Sequence, residues 1–121
     1  MARLASVGAD GRPHIVPVCF ALEGGTILFA VDSKPKRTRD LQRLRNIAAH
    51  PEVSILFDHY GEDWSTLWWV RADGKAQVVA DPAESERAID VLATRYPQYR
   101  SARPQGPVVA VLIDRISGWS A

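Results

Sequence analysis

The sequence predicts a mostly β domain, an antiparallel barrel or sandwich with helical insertions, on the basis of three observations. Short apolar runs follow one another in clusters, and only two or three helical segments interrupt them. The strict β-α-β alternation of a doubly wound sheet is therefore missing. Neither a Rossmann fingerprint nor a P-loop occurs. The length of 121 residues fits one domain, residues 1–121.

Four strands are expected in the first half of the chain. An Asp10-Gly11 turn follows the first of them, since this pair tolerates positive φ. The second strand is nearly all apolar, so we expect it to be buried on both faces. Pro17 within it cannot donate a hydrogen bond, and marks an edge, a bulge or a place where a ligand replaces the neighbouring strand. The expected strands are 2–8, 14–22, 26–31 and 53–58.

The sequence of the second half of the chain predicts a helix with strands before and after it. Residues 67–79 form a long strand or a bent pair, with a possible bulge at 72–74. Asp81 is positioned to cap a helix whose first residue is Pro82 and whose inner face is expected to hold Ile89, Leu92 and Ala93. An irregular loop from Pro97 leads to a last strand, 107–116, which residues 117–119 close.

The segment 31–45 concentrates positive charge beside a predicted helix. It holds six basic residues and two acidic ones, whereas the whole chain has a formal net charge of only +1. The apolar spacing of Leu41, Leu44, Ile47 and Ala48, which we expect to face the core, predicts a helix that begins within 35–38 and stops by His50. Its first turn presents free backbone N–H groups beside basic side chains, which suits a phosphate. The alternative is an ordinary solvated basic face. The basic residues are Lys34, Lys36, Arg37, Arg39, Arg43 and Arg45.

Several function classes lack support. No uncharged run reaches the roughly 20 residues of a membrane span, and the start resembles no signal peptide, so we expect a cytoplasmic protein without membrane contact. The only cysteine, Cys19, fits a reducing compartment and an inert buried thiol. The three histidines have no metal-ligand spacing, so no metal is expected. Residues 33–50 contain no aromatic to stack on bases, which disfavours nucleic acid.

Tryptophan placement indicates a second surface. Trp68 and Trp69 are adjacent in one predicted strand and therefore point to opposite faces. One of them needs a subunit interface or a planar ligand, unless the pair is simply divided between core and edge. We expect a two-fold homodimer, because a monomer of this size would otherwise expose too much aromatic surface.

Four segments together resemble a known superfamily. They are DGRPHIVPV, ILFAVDSKPKRTRDLQRLRN, HPEVSILFD and DWSTLWWVRADGKAQV. The chain is similar, over nearly its whole length, to the flavin- and deazaflavin-dependent split β-barrel oxidoreductases, the superfamily of pyridoxamine 5′-phosphate oxidase. The pattern KPKRT…DL…LRN…DHY.EDWS..WWVRADG resembles its actinobacterial branch, which uses coenzyme F420.

The resemblance implies a six-stranded antiparallel split β-barrel of the FMN-binding type. It implies a homodimer in which each cofactor lies in a groove between subunits. The phosphate would be held by the basic segment, the ring would lie over the second strand, and an aromatic would reach it from the partner subunit. Carried across, the phosphate residues are Lys34, Lys36, Arg37 and Thr38, the strand residues are Pro17 and Val18, and the aromatic is Trp64.

Three features depart from the family pattern. The family often has lysine at the position of Arg37 and asparagine at that of Asp40, and its members usually carry a helix before the first strand. The oxidase also uses a C-terminal Arg-x-His pattern that residues 114–117 do not supply. Pyridoxamine phosphate is therefore not the expected substrate.

The implied activity needs no catalytic side chain. The reduced deazaflavin carries the hydride, and the protein orients its ring against a small-molecule substrate. The sequence thus predicts an F420-dependent oxidoreductase. FMN binding within the same superfamily, cofactor storage without turnover and a nucleic-acid-binding barrel are the alternatives.

Overall fold

The computed structural model describes residues 1–31 and 37–121, with the side chains of all of these except 37–41. A single turn of 3-10 helix, Trp64–Thr66, precedes the sixth strand. The strands are β1 (Ala2–Val7), β2 (Pro13–Val18), β3 (Ala21–Glu23), β4 (Thr26–Ala30), β5 (Glu52–His59), β6 (Trp68–Val78) and β7 (Val108–Ser120), and the helices are α1 (Arg37–Ala49), α2 (Pro82–Arg95) and α3 (Pro97–Ser101).

All the described strands form one antiparallel sheet in the order β2-β1-β5-β6-β7-β4-β3. The sheet curls around one core, to which β1, β2, β4, β5, β6 and β7 each contribute inward side chains, and α2 covers a second core on the outer face of β4 and β7. β2 and β3 are its two edges, so the curled sheet is split between them. The mostly β, antiparallel split-barrel class predicted from the sequence is confirmed.

The strand count differs from the expected six because the run 14–22 is not one strand. It divides into β2 and β3, with Cys19 and Phe20 between them. The expectation that this run is buried on both faces is wrong. Ile15 and Pro17 are exposed, since β2 lies at the edge and only its inner face meets the core. The interpretation of Pro17 as an edge residue is confirmed.

The first half of β7 is buried on both faces, which explains its unbroken apolar sequence. Val109 and Val111 face the barrel core, while Val108 and Ala110 pack against α2. The inner face of α2 includes Ile89, Leu92 and Ala93, as predicted. Asp81 caps this helix through a hydrogen bond that its side chain accepts from the Ala83 N–H at 3.0 Å.

Helix α1 runs from Arg37 to Ala49, within the predicted limits. Its inner face differs from the apolar pattern in one respect. Ala48 is exposed, whereas Asn46 is 1% exposed and faces β1. The prediction for Ala48 was therefore wrong, because a polar residue takes the inner position one turn before Pro51. Leu44 and Ile47 pack on the core, and Leu41 lies outside the described side chains.

The C-terminal strand is longer than expected. The bulge predicted at 72–74 coincides with a register shift between Asp73 and Gly74, but the extra residue, Asp114, lies in β7 rather than in β6. β7 does not end at 116, because residues 117–119 continue the ladder opposite 69–71. The segment from Pro97 that was expected to be irregular begins with α3. No helix of the described ranges is long and apolar enough to cross a membrane.

Candidate cofactor site

The open edge of β2 is the first part of the candidate site. β2 pairs with β1 on one side, in a register that sets Arg3 opposite Pro17 and Val7 opposite Pro13. Proline is accommodated where its nitrogen faces away from the ladder. In an antiparallel strand the N–H and C=O of one residue point to the same side. We infer that Pro13, Ile15 and Pro17 turn their backbone groups to the open edge.

This edge is therefore rich in acceptors. It offers three carbonyl groups, while only Ile15 among the three residues has an N–H to donate. Such an edge pairs poorly with another β-strand, which needs alternating donors and acceptors. It can still bind a planar ligand that carries its own N–H. Val18 can only adjoin such a ligand, because its side chain is 5% exposed in the core and its backbone groups face β1.

The start of α1 is the second part of the site. The helix begins at Arg37, so Arg37 and Thr38 occupy its first turn, where backbone N–H groups are unpaired. Such a turn attracts an anion. Lys34 and Lys36 lie outside the described residues, and the side chains of Arg37 and Thr38 lie outside the described side chains. Their predicted contacts with a phosphate remain predictions.

A buried polar chain fixes α1 against β1. Gln42 Nε2 donates to Asn46 Oδ1 at 2.7 Å, and Asn46 Nδ2 donates to Ser6 Oγ at 3.2 Å. Asn46 and Ser6 are 1% and 2% exposed, and they are the only buried polar residues among the described side chains. A buried hydrogen bond offsets the cost of desolvating its two groups only when its geometry is good. The hydrogen bonds of Asn46 therefore determine how α1 is placed on β1.

Arg43 departs from the solvated role expected of a basic residue beyond the first turn. It is half-buried, and its guanidinium carbon lies 6.0 Å from the centre of the Phe29 ring. Phe29 is fully buried in the barrel core. Arg43 therefore covers the end of the core with its stem, whereas Arg45 is exposed.

A groove of about 620 Å³ lies on the outer face of the sheet. Two arginines and an aspartate stand among its apolar walls. Arg3 Nη1 pairs with Asp58 Oδ1 at 3.0 Å within it. Ile15, from the edge strand, is 68% exposed there. The groove is lined by Arg3, Ala5, Ile15, Ser54, Leu56, Asp58, Tyr60, Trp69 and Arg71.

The tryptophans occupy three different settings. Trp69 lies in the outer groove, and Trp68 borders an apolar groove of about 330 Å³ at the mouth of the barrel, so the prediction of opposite faces is confirmed. Trp64 is 77% exposed. It stands on a turn capped by Asp63, whose Oδ1 accepts from the Ser65 hydroxyl at 2.6 Å and the Ser65 N–H at 3.1 Å. These two hydrogen bonds hold the pKa of Asp63 below its ordinary value.

Other chemistry has little support in the part of the chain that the structure describes. Cys19 is free and half-buried at the break between β2 and β3. The described residues contain no group of three or more His, Cys, Asp or Glu side chains that could hold a metal. The nitrogen Nδ1 of His14 is buried without a hydrogen-bond partner.

Sequence reasoning missed the polar residues that secure the site. The buried hydrogen bonds of Asn46 were not predicted, because the apolar residues around it were expected to form the inner face of α1. No role was predicted for Arg95 and Tyr96. A run of aromatic and basic residues, RYPQYR at 95–100, was the available signal.

The curled antiparallel sheet, its split between β2 and β3 and the helix after β4 define a split-barrel protein. Residues 1–120 match the family model described as pyridoxamine 5′-phosphate oxidase. The chain belongs to that family. A comparison with curated proteins found no match.

Solved structures share the fold. A conserved hypothetical protein from Mycobacterium tuberculosis is 25% identical over 98% of this chain and 76% of its own, with a TM-score of 0.78. A FAD-binding protein from Mesorhizobium loti is 20% identical over 97% of this chain and 83% of its own, with a TM-score of 0.72. A heme storage protein from Vibrio cholerae is 18% identical over 98% and 84%, with a TM-score of 0.71.

Proposed function

We propose that the protein is an F420-dependent oxidoreductase that transfers a hydride between the reduced deazaflavin and a small organic substrate. The observation that carries the proposal is the open, acceptor-rich edge of β2, in a chain whose helix α1 begins with the basic segment. The family match and the F420-branch sequence pattern support the same assignment. FMN, which shares the pyrimidine edge of the ring, is the alternative cofactor.

The chain's groups suit such a cofactor. A deazaflavin or flavin ring carries a pyrimidine N–H beside carbonyl oxygens, and the edge of β2 offers carbonyls and the Ile15 N–H to match them. The bound deazaflavin would supply the hydride. The roles left to the protein are to orient the ring, to exclude water and to hold the anionic tail. The proposed residues for the ring are Pro17, Val18 and Trp64, and those for the tail are Lys34, Lys36, Arg37 and Thr38.

The tail distinguishes the two cofactors. FMN ends in one phosphate monoester, whereas F420 continues through a phosphodiester to an oligoglutamate tail. Six basic residues across 31–45 suit the longer anion. We expect F420 to bind at least tenfold more tightly than FMN, as measured by fluorescence quenching. Tighter FMN binding would select the alternative cofactor.

Heme provides a second control ligand, because a structurally similar protein from Vibrio cholerae is a heme storage protein. Heme iron needs an axial ligand such as histidine. A Soret band on titration, lost in His14→Ala, would overturn the deazaflavin assignment.

Variants of the basic segment test the anion site itself. Charge-assisted hydrogen bonds contribute about 1.5–3 kcal/mol each. Lys36→Ala with Arg37→Ala should therefore weaken F420 binding by about a hundred- to ten-thousand-fold, since about 1.4 kcal/mol is tenfold. Arg45→Ala removes one charge and is the matched control for Lys36→Ala and Arg37→Ala taken singly, because this arginine is exposed in the last part of α1. Arg43 is unsuitable as a control, since its half-buried stem contributes to stability. If Arg45→Ala weakens F420 binding as much as Lys36→Ala or Arg37→Ala, the basic segment attracts the anion through its overall charge rather than through specific contacts.

We propose in addition that the active form is a homodimer joined through the outer groove. The groove contains both signs of charge, in Arg3 and Asp58, which pair at 3.0 Å within the subunit, and a two-fold arrangement would let each meet the opposite charge of the copy. Ile15 and Trp119 are exposed on the same outer side and would be covered. Light scattering should give a dimer mass at micromolar concentration, and Ile15→Glu should give a monomer that no longer binds cofactor. A monomeric parent protein would refute the assembly.

A further inference from the structure

The break between β2 and β3 is where the chain passes from one edge of the split sheet to the other. Cys19 and Phe20 belong to neither strand. Backbone groups of such residues have no ladder partner, although a buried N–H or C=O without a partner is costly. Phe20 is 7% exposed, so its backbone groups need partners from elsewhere in the protein.

A single phenol supplies both partners. The Tyr96 hydroxyl accepts a hydrogen bond from the Phe20 N–H at 3.0 Å and donates one to the Phe20 carbonyl at 3.0 Å. Within a sheet, these two bonds would come from one residue of a neighbouring strand. Tyr96 thus replaces a strand residue at the split.

Arg95 binds the same residue. Its Nη1 donates to the Phe20 carbonyl at 3.0 Å, and its guanidinium carbon lies 4.1 Å from the centre of the Phe20 ring. The guanidinium also lies 5.2 Å from the centre of the Tyr96 ring. The Phe20 ring in turn packs edge-on against Phe57, with centroids 4.8 Å apart. Backbone and side chain of Phe20 are therefore both fixed.

Tyr96 and Arg95 together form a clamp on Phe20, and the backbone of Tyr96 is itself held in place. Tyr96 terminates α2, where its N–H donates to the Leu92 carbonyl at 2.9 Å, and Pro97 starts α3 directly after it. Tyr99 packs edge-on against the Tyr96 ring at 5.7 Å. Because Tyr96 is held on both sides, its hydroxyl sets the position of Phe20 rather than following it.

We propose that Tyr96 and Arg95 are positioning residues for the cofactor strand, an inference that rests on the proposed function. Phe20 is three residues from Pro17 and two from Val18, so fixing its backbone sets where the open edge of β2 ends. A ring lying along that edge would contact a backbone whose course the clamp determines. Neither side chain is a catalytic residue, since both act through Phe20.

Tyr96→Phe tests the clamp with the loss of one oxygen atom. In the full-length protein titrated with F420, we expect affinity to fall about tenfold, which is the equivalent of one lost interaction of about 1.4 kcal/mol. The fluorescence anisotropy of the bound deazaflavin at saturation should also fall, because the ring would be less firmly held. A residue with a purely structural role would lower the melting temperature without changing that anisotropy.

Two control variants match the clamp residues. Tyr99→Phe removes a hydroxyl from the neighbouring ring and leaves both bonds between Tyr96 and Phe20 in place, so it should weaken binding less than Tyr96→Phe does. Arg100→Gln removes an arginine that donates to the carbonyls of Ala93 and Thr94, and is compared with Arg95→Gln. Arg95→Gln should weaken binding, while Arg100→Gln should not.

The outcomes separate this inference from the proposed function. If the parent protein binds neither F420 nor FMN, the proposed function fails. If the parent binds and Tyr96→Phe binds with equal affinity and anisotropy, the proposed function stands and the clamp is overturned. A Tyr96→Phe protein with lower affinity than Tyr99→Phe at matched melting temperature supports the clamp.

Discussion

Truncating Asn46 should destabilise the protein far more than a polar helix residue usually does. Asn46→Ala removes the donor to the Ser6 hydroxyl, which is 2% exposed and has no access to water in compensation. An orphaned buried hydroxyl costs about 1–3 kcal/mol. The cavity left by the amide adds to this cost, while Gln42 is exposed and can turn to solvent. We expect a total loss of about 2–4 kcal/mol in the free energy of unfolding.

Urea unfolding followed by tryptophan fluorescence measures this loss. At about 4 °C per kcal/mol for a domain of this size, the melting temperature should fall by about 8–16 °C. Ser6→Ala is the complementary variant, because it leaves the Asn46 amide buried without its acceptor. Gln42→Ala is the comparison, because it leaves Asn46 Oδ1 without its donor but opens no cavity in the core, and it should cost about 1–2 kcal/mol, less than Asn46→Ala.

A double-mutant cycle decides whether the chain of hydrogen bonds causes the effect. Removing both buried partners leaves no orphaned group, so the double variant should cost at least about 1 kcal/mol less than the sum of the single losses. Strict additivity of Asn46→Ala and Ser6→Ala would refute the argument. The loss would then come from packing alone.

Two further predictions concern the sheet. Gly74→Ala should cost more than about 3 kcal/mol, because the added Cβ would overlap the Leu112 carbonyl oxygen across the bulge, whereas Gly61→Ala should be neutral in the same urea assay since nothing lies within 4 Å of its Cβ position. The Ser54 hydroxyl, which donates to Asp73 at 2.6 Å, is the main cause that holds the pKa of Asp73 below 3.8. A depressed carboxyl pKa gives stability above the unfolded value that is lost as pH falls through the folded one. Carboxyl NMR titration of Ser54→Ala should therefore show that pKa rise toward 3.8, and no change would contradict the assigned cause.

The elements of the fold were predictable where local chemistry specifies them. The Asp81-Pro82 pair fixes the start of α2, and the register shift lies between Asp73 and Gly74, within the predicted range. These features depend on dihedral preferences and capping bonds between close neighbours in sequence. They can be read from a single chain.

Burial was harder to predict because it depends on distant partners. The run 14–22 reads as a fully buried strand, yet the sheet order places β2 at the edge and leaves Ile15 exposed. The last strand was expected to end at 116, yet it continues because Trp119 pairs with Trp69 from β6. Trp69 and Trp119 are 50 positions apart in sequence, so their pairing cannot be read from either segment. The position of β2 at an edge is likewise defined only by the order of all the strands.

The side-chain hydrogen bonds that fix the candidate site could not be predicted from the sequence segments that form it. A split barrel leaves two edges without a strand partner, and the fold must satisfy the backbone there with side chains from elsewhere. At the break the partner is Tyr96, which is 76 residues from Phe20 in sequence. On the other side, the partner of α1 is Ser6, 40 residues from Asn46. Each tie uses a group that is unremarkable in its local context, since a tyrosine after a helix and an asparagine inside one have many roles. Their role follows from the fold, which brings Tyr96 to the end of β2 and sets Asn46 of α1 against β1.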